Sequence, residues 1–354
     1  MPIKTIGILG SGQLGRMLVI AASQLGFRTH VYAPDANNSP AGALSHECTE
    51  AAYDNLDALA KFGGNVDAVT CEFENVPAQT MAFIANYCVV SPGQAALHTA
   101  QNRIREKSLA QDLDIKTPKF WHVASSADLI KGMAELNGDG ILKTCQFGYD
   151  GKGQMGLSPN DDLMAKFAAL KTNDAILEEI IPFRAEASFL VARTARGSLS
   201  CFPASLNEHK NGVLSCSLAP AELPEAVINE GQAAACALAE SLDVIGLLAL
   251  ETFVTEDNHL FFNEIAPRPH NSFHWTIEGC ETSQFTQLIR TIAGMPLGGT
   301  SCYGKWRMDN LLGEDMGSLE ALANKAGLHI HLYGKAEAKP GRKMGHTNQQ
   351  ISSE

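Results

Sequence analysis

Residues 249–268 read ALETFVTEDNHLFFNEIAPR, with Glu251 and Glu264 near the two ends. Two apolar strands flank Asp257 and Asn258, a pair suited to a two-residue hairpin turn. With that turn, positions whose numbers sum to 515 face each other, and Glu251 and Glu264 are such a pair. Like charges directly opposite on a sheet are destabilising. At ~4 Å their repulsion is about 4 kcal/mol at a surface-like dielectric. A cation is therefore expected between them. A hard divalent ion with oxygen ligands fits, and Mg²⁺ held by one or two carboxylates commonly also holds substrate phosphates. The hairpin predicts a chain that handles a nucleoside triphosphate.

Working outward, the chain opens as strand, glycine turn and helix. An apolar run over 3–10 ends in Gly10-Ser-Gly12-Gln13-Leu14-Gly15, and 16–25 reads as a helix stopped by Gly26. Further strands are expected at 29–33, ending near Asp35, and at 66–70, running into CEFENVP (71–77). This alternation predicts a doubly wound parallel sheet covered by helices, with a boundary near Ser91-Pro92-Gly93. The GSGQLG turn with Asp35 beyond it matches the dinucleotide fingerprint. Its amides suit any phosphate at a helix N-terminus, so a phosphate ligand other than NAD(P) is the preferred reading over NAD(P) or a purely structural turn. One helix is expected over 94–113, carrying Gln101, Arg103 and Lys107. Strands follow at 141–143 and 176–181, and an antiparallel pair at 186–194 and 198–204. Helices begin at Pro224 and Ser283, and Pro296 with Gly298-Gly299 sets off a small C-terminal region. The fold class is mixed α/β and α+β in several domains.

The 354 residues carry a formal net charge of −12, which opposes a nucleic-acid partner because phosphate backbones demand clustered Lys and Arg. No apolar run reaches the roughly 18 residues of a membrane span, and the start lacks the h-region of a signal peptide. A cytoplasmic protein with small-molecule substrates is expected. Nine cysteines are scattered, with no two within three residues of each other, so neither a disulfide framework nor a CxxC zinc site is expected.

Three segments carry chemistry. Residues 147–154, FGYDGKGQ, follow a strand ending in Lys143; the loop reads equally as a lid folding amides over phosphates or as a plain hairpin turn. Glu178-Glu179-Ile180-Ile181 ends an apolar strand, with Glu186 beyond it. A hinge strand there pairs with an adenine edge while a carboxylate accepts ribose hydroxyls, although a solvated strand end is the commoner meaning. Residues 263–275, NEIAPRPHNSFHW, gather Arg268, His270, Asn271, Ser272 and His274 behind Glu264. His270 and His274 have a zinc-compatible spacing, but no thiol accompanies them and prolines interrupt any helix; an oxyanion such as bicarbonate or phosphate suits this set better.

GSGQLGRM, CEFENVP, QNRIREK, GYDGKGQ, EEIIPF, NEIAPRPHNSFHWT and KPGRKMGH, in that order, resemble the ATP-grasp superfamily and within it the N5-carboxyaminoimidazole ribonucleotide synthetase family. The resemblance implies an ATP-grasp fold divided as 1–93, a Rossmann-like domain; 94–295, the ATP-grasp domain with a mobile lid around 118–182; and 296–354, a small C-terminal domain. It also implies that Arg103, Lys143, Gly148, Tyr149, Asp150, Gly151, Lys152, Gly153, Gln154, Glu178 to Ile181, Glu186, His209, Asn263 and Glu264 contact ATP. Glu251 and Glu264 then hold Mg²⁺, with neither NAD nor zinc. Gly12, Gln13, Leu14, Glu72, Lys335 and Arg342 face aminoimidazole ribonucleotide, and family members are usually homodimers. Asp150, Arg268, His270 and Asn271 are the expected catalytic residues, Asp150 orienting the attacking amine. Two departures stand out: Phe273 where the family has Gly, expected to narrow the pocket, and Lys339 where it has Arg, which loses bidentate geometry but keeps charge. A formate-using ATP-grasp ligase, a nicotinamide-dependent oxidoreductase and a silent nucleotide-binding protein are the alternatives.

Overall fold

A computed structural model of the chain describes residues 4–146, 148 and 153–351. Tyr149, Asp150, Gly151 and Lys152 lie outside the described residues, so the expectations placed on them have no structural counterpart here. Three sheets follow in chain order. The first is parallel, with strands β1 (Thr5–Leu9), β2 (Arg28–Ala33), β3 (Glu47–Glu50), β4 (Ala68–Cys71) and β5 (Val89–Ser91) in the order β3-β2-β1-β4-β5. Ile6, Ile8, Val31 and Val69 are fully buried, as in a sheet covered on both faces. The alternation read from the sequence is borne out.

Expectation and structure differ between 94 and 113. Two helices, Gln94–Ala100 and Arg103–Asp112, replace one. Asn102 separates them, its side-chain oxygen accepting from the N–H groups of Ile104 (3.0 Å) and Arg105 (3.2 Å). Asn competes well for the first free amides of a helix, and the break turns Arg103 inward, its N–H donating to the Cys145 carbonyl at 3.0 Å.

The second sheet is small and antiparallel: β6 (Phe120–Val123), β7 (Gly140–Thr144), β8 (Gln154–Leu157) and β9 (Ala175–Glu179), ordered β6-β9-β7-β8. The third has nine strands: β10 (Ala185–Arg193), β11 (Leu199–Cys201), β12 (Ser205–Lys210), β13 (Val213–Ala219), β14 (Gly246–Val254), β15 (Leu260–Ala266), β16 (Lys305–Leu312), β17 (Leu328–Leu332) and β18 (Lys343–Ile351). Its path is β15-β14-β10-β12-β13-β16-β18-β17, with β11 pairing β10. The C-terminal strands therefore extend the central sheet through β13 and β16. Helix Glu225–Ser241 covers one face of this sheet; Gly231 permits the approach, since a Cβ there would lie 2.1 Å from the Phe189 ring.

The hairpin carries a second difference. Thr255 N–H donates to the His259 carbonyl (3.0 Å) and Asn258 N–H to that of Thr255 (3.0 Å), with Asn258 at φ 63°. This is a three-residue loop, a type I turn followed by a left-handed residue, in place of the expected two-residue turn. Positions near it accordingly sum to 514, as Val254 and Leu260 do. The register then shifts by one between Glu251 and Thr252, with Asn263 as the extra residue, and Glu251 faces Glu264 as expected.

The cysteines remain thiols, although spacing along the chain does not report spacing in the fold. Cys201 and Cys236 bring their sulfurs within 3.5 Å, and Cys280 pairs with Cys302 across an isolated antiparallel bridge. All nine thiols are free.

Candidate active site

The site lies where β7, β9, β14 and β15 meet the start of the helix at Arg103. Lys143, on β7, donates to Glu178 Oε2 at 3.0 Å, and Lys107 lies 3.5 Å from Glu178 Oε1. Lys107 is completely buried and Glu178 is 2% exposed. Burial alone would raise the Glu178 carboxyl, but the Lys107, Lys143 and Arg103 cations together hold it down to about 2. The same pairing does not favour Lys107: desolvation outweighs the attraction of Glu178 and lowers its pKa. We assign both groups their charges, since Glu178 gathers three cations and the Lys107 ammonium also donates to the Asn263 carbonyl at 2.8 Å. That carbonyl belongs to the bulged residue of β15. The bulge thus keeps Glu251 opposite Glu264 and supplies an acceptor for Lys107.

The two glutamates are each met by a basic side chain of the protein. Arg103 donates to Glu264 Oε2 at 2.9 Å, and His270 Nε2 is 2.6 Å from Glu251 Oε1. Against the upward push of burial, His270, His209 and Arg268 hold Glu251 well below the usual carboxylate range. Glu251 and Glu264 thus place carboxyl oxygens at facing register positions, a donor set suited to a hard divalent cation. His270 is oriented from its other ring nitrogen by Ser272 Oγ at 2.7 Å, and its backbone N–H donates to Gln284 Oε1 at 2.8 Å. Arg268 is paired with Glu74 from the CEFENVP segment. Both polar atoms of the Asn271 side chain are buried with no hydrogen-bond partner. A buried unpaired amide is costly, and a bound oxyanion or carboxyl group would satisfy it.

His274 does not join His270. It is 1% exposed, bonded through Nδ1 to Gln284 Nε2 at 3.0 Å and tilted against His346, with ring centroids 4.6 Å apart. Burial lowers its pKa well below the usual value. Phe273 is fully buried beside Phe202 and Trp275, so it fills core and does not narrow the pocket. Packing places this ring in the core, where a narrowed pocket was expected.

The glycine turn binds a carboxylate of the protein itself. Glu72 Oε1 accepts from Gly12 N–H at 2.7 Å and Oε2 from Gly15 N–H at 3.0 Å. A Cβ on Gly12 would lie 2.7 Å from the same Oε1. The preferred reading of these amides as an open phosphate cradle is therefore corrected: they hold Glu72. Gln13 and Leu14 begin the helix Gln13–Gln24, and Leu14 is buried. Burial raises Glu72, while the Gly15 and Gly12 amides, Arg268 and Lys335 pull it down, so Lys335 faces this turn. Lys335 also donates to the Lys343 carbonyl at 2.7 Å. Arg342 is exposed, donating to the Glu337 carbonyl at 3.1 Å, and Lys339 pairs with Glu337 at 2.8 Å.

Of the remaining expected residues, Glu186 on β10 pairs with His209 on β12, and that partner raises the His209 pKa against desolvation. Glu179 accepts from Lys119 N–H at 3.2 Å, Ile180 is exposed and Ile181 buried. Gly148 is half-buried; the Gly153 carbonyl accepts from Thr144 N–H at 2.9 Å, and Gln154 pairs with Lys143 across β7 and β8. Sequence reasoning did not assign roles to Lys107, Glu106 or Glu74. All three stand inside quoted motifs, but a buried cation partner is visible only once the helix is placed against β9 and β15.

The ribonucleotide synthetase preATP-grasp domain family matches residues 3–101, the ATP-grasp domain family 108–285, and the phosphoribosylaminoimidazole carboxylase C-terminal domain family 307–353. The chain is 42% identical to an N5-carboxyaminoimidazole ribonucleotide synthase of Brucella melitensis, covering 98% of this chain and 96% of that protein. It is 41% identical to a bifunctional purine synthesis protein of Dictyostelium discoideum over 99% of its own length, but spans 37% of that longer protein. Among solved structures, the N5-carboxyaminoimidazole synthase of Aspergillus clavatus, in complex with ADP and 5-aminoimidazole ribonucleotide, superposes with a TM-score of 0.91 at 28% identity, covering 99% of this chain and 94% of that one. The chain belongs to the N5-carboxyaminoimidazole ribonucleotide synthase family of ATP-grasp ligases.

Proposed function

We propose that the protein uses ATP to carboxylate 5-aminoimidazole ribonucleotide with bicarbonate. Bicarbonate oxygen attacks the γ-phosphorus of ATP, giving carboxyphosphate and ADP; carboxyphosphate then yields its carboxyl carbon to the 5-amino group, releasing phosphate. The observation that carries this reading is the facing pair Glu251 and Glu264, with His270 at 2.6 Å from Glu251 and Arg268 beside them. Glu251 and Glu264 would hold Mg²⁺, which neutralises phosphate charge when bound. Phosphoryl transfer is mainly positioning and charge neutralisation. Lys143, Lys107 and Arg103 belong to the nucleotide side, with the loop from Gly148 to Gln154 as the lid and Glu178 to Ile181, Glu186 and His209 around adenosine. Arg268, His270 and Asn271 receive bicarbonate, the unpaired Asn271 amide supporting that placement. Glu72 and Lys335, facing each other at the glycine turn, support an acceptor site there. The reading includes a lid over 118–182 that keeps water from the labile intermediate, and a cytoplasmic homodimer.

Glu264→Gln tests it through phosphate release from MgATP with bicarbonate and aminoimidazole ribonucleotide. Loss of one metal carboxylate is expected to slow turnover at least a hundredfold, about 2.7 kcal/mol in the barrier. Near-normal turnover removes the metal assignment.

A further inference from the structure

The small sheet ends in a cluster that the ligase chemistry does not use. Val123 of β6 and Thr144 of β7 both pair with Ala175 of β9, so His122, Cys145 and Asp174 converge at one corner. Their donor atoms all lie within 4.8 Å of one another. His122 Nε2 is 3.0 Å from Asp174 Oδ1, and Cys145 N–H donates to the Asp174 carbonyl at 3.0 Å, which fixes the thiol beside the carboxylate. Tetrahedral Zn²⁺ with bonds of about 2.0 Å to N and O sets those ligand atoms about 3.3 Å apart, and Cys, His and Asp are its ordinary donors. Cys145 is buried, whereas His122 and Asp174 remain open to solvent, so an ion has an entry path and a water can take the fourth position.

We infer that His122, Cys145 and Asp174 form a second metal site, for a borderline-soft divalent ion such as Zn²⁺, at the root of the glycine-rich loop. Binding is coordination without oxidation: the Cys145 thiol releases one proton to solvent, its sulfur bonds the ion, and His122 Nε2 and an Asp174 oxygen exchange their mutual contact for bonds to the metal. Gln146 Nε2, 3.3 Å from Asp174 Oδ2, holds the other carboxylate oxygen. One group opposes the ion. Arg105 is close enough to Asp174 and Cys145 to feel both charges, and its Nε is buried without a partner. The site is separate from Glu251 and Glu264, yet it touches the nucleotide side, because the Cys145 carbonyl accepts the Arg103 N–H and Gln146 leads into the loop.

Co²⁺ is the probe, since thiolate ligation gives it a near-ultraviolet charge-transfer band. Titrating the full chain without nucleotide is expected to produce that band, saturating at one ion per chain. Cys145→Ser should abolish it, and the exposed His122→Ala, which leaves the core untouched, should weaken binding at least tenfold. Arg105→Gln should tighten binding. The paired thiols supply the competing explanation, so Cys201→Ser and Cys280→Ser are expected to leave the band intact. No band, a band that survives Cys145→Ser, or unchanged affinity in His122→Ala overturns the assignment.

Discussion

Replacing Lys107 by Met is the sharpest probe of the buried network. Its ammonium lies 3.5 Å from Glu178 Oε1 and donates to the Asn263 carbonyl at 2.8 Å. At an effective dielectric of about 20, the lost attraction to Glu178 is about 5 kcal/mol. Orphaning the Asn263 carbonyl adds about 2 kcal/mol. Against these, the variant no longer desolvates a lysine, which returns about 4 kcal/mol. The net loss is about 3 kcal/mol, the lower end of what breaking a buried pair costs, because Lys143 still holds Glu178 at 3.0 Å. Urea denaturation of the wild type, Lys107→Met, Glu178→Gln and the double variant measures it. In the double variant neither partner is stranded, so the coupling should reach about 2 kcal/mol. Losses that add to within about 0.5 kcal/mol would show that the two residues do not act as a pair.

Two further outcomes are expected. Glu178 has a carboxyl held at about 2 against an ordinary 4.5, so its contribution of about 3 kcal/mol is fully present above pH 4.5 and fades as pH falls through about 2; acid denaturation of Glu178→Gln should be flatter over that window, and an unchanged acid limb would sink the assignment. Phe273→Gly should cost about 3–5 kcal/mol through the cavity left between Phe202 and Trp275, read as a lower melting temperature, with the KM for bicarbonate little changed; a large KM effect at undiminished stability would return Phe273 to the pocket.

What was legible in the sequence divides by the range of the interaction. The parallel first sheet was legible because strand, glycine turn and helix repeat locally. The Glu251 and Glu264 pairing was also reached, though through two one-residue errors that cancel: the turn has three residues, and a bulge at Asn263 restores the sum. Turn length is set by whether Asn258 takes a left-handed conformation, and the bulge by what Lys107 offers the freed carbonyl, neither visible in a hydrophobic pattern. The split at Asn102 was readable in principle, since Asn is a strong cap. By contrast, the joining of β13 to β16, the seizure of the Gly12 and Gly15 amides by Glu72, and the gathering of His122, Cys145 and Asp174 all link residues tens of positions apart. Those required the fold.

The most direct measurement is transfer of label from radiolabelled bicarbonate to 5-aminoimidazole ribonucleotide, with ADP counted in the same reaction. One acid-labile carboxylated ribonucleotide per ADP, formed only when ATP, bicarbonate and aminoimidazole ribonucleotide are all present, is the predicted result. ADP formation that ignores bicarbonate and responds to formate would contradict it.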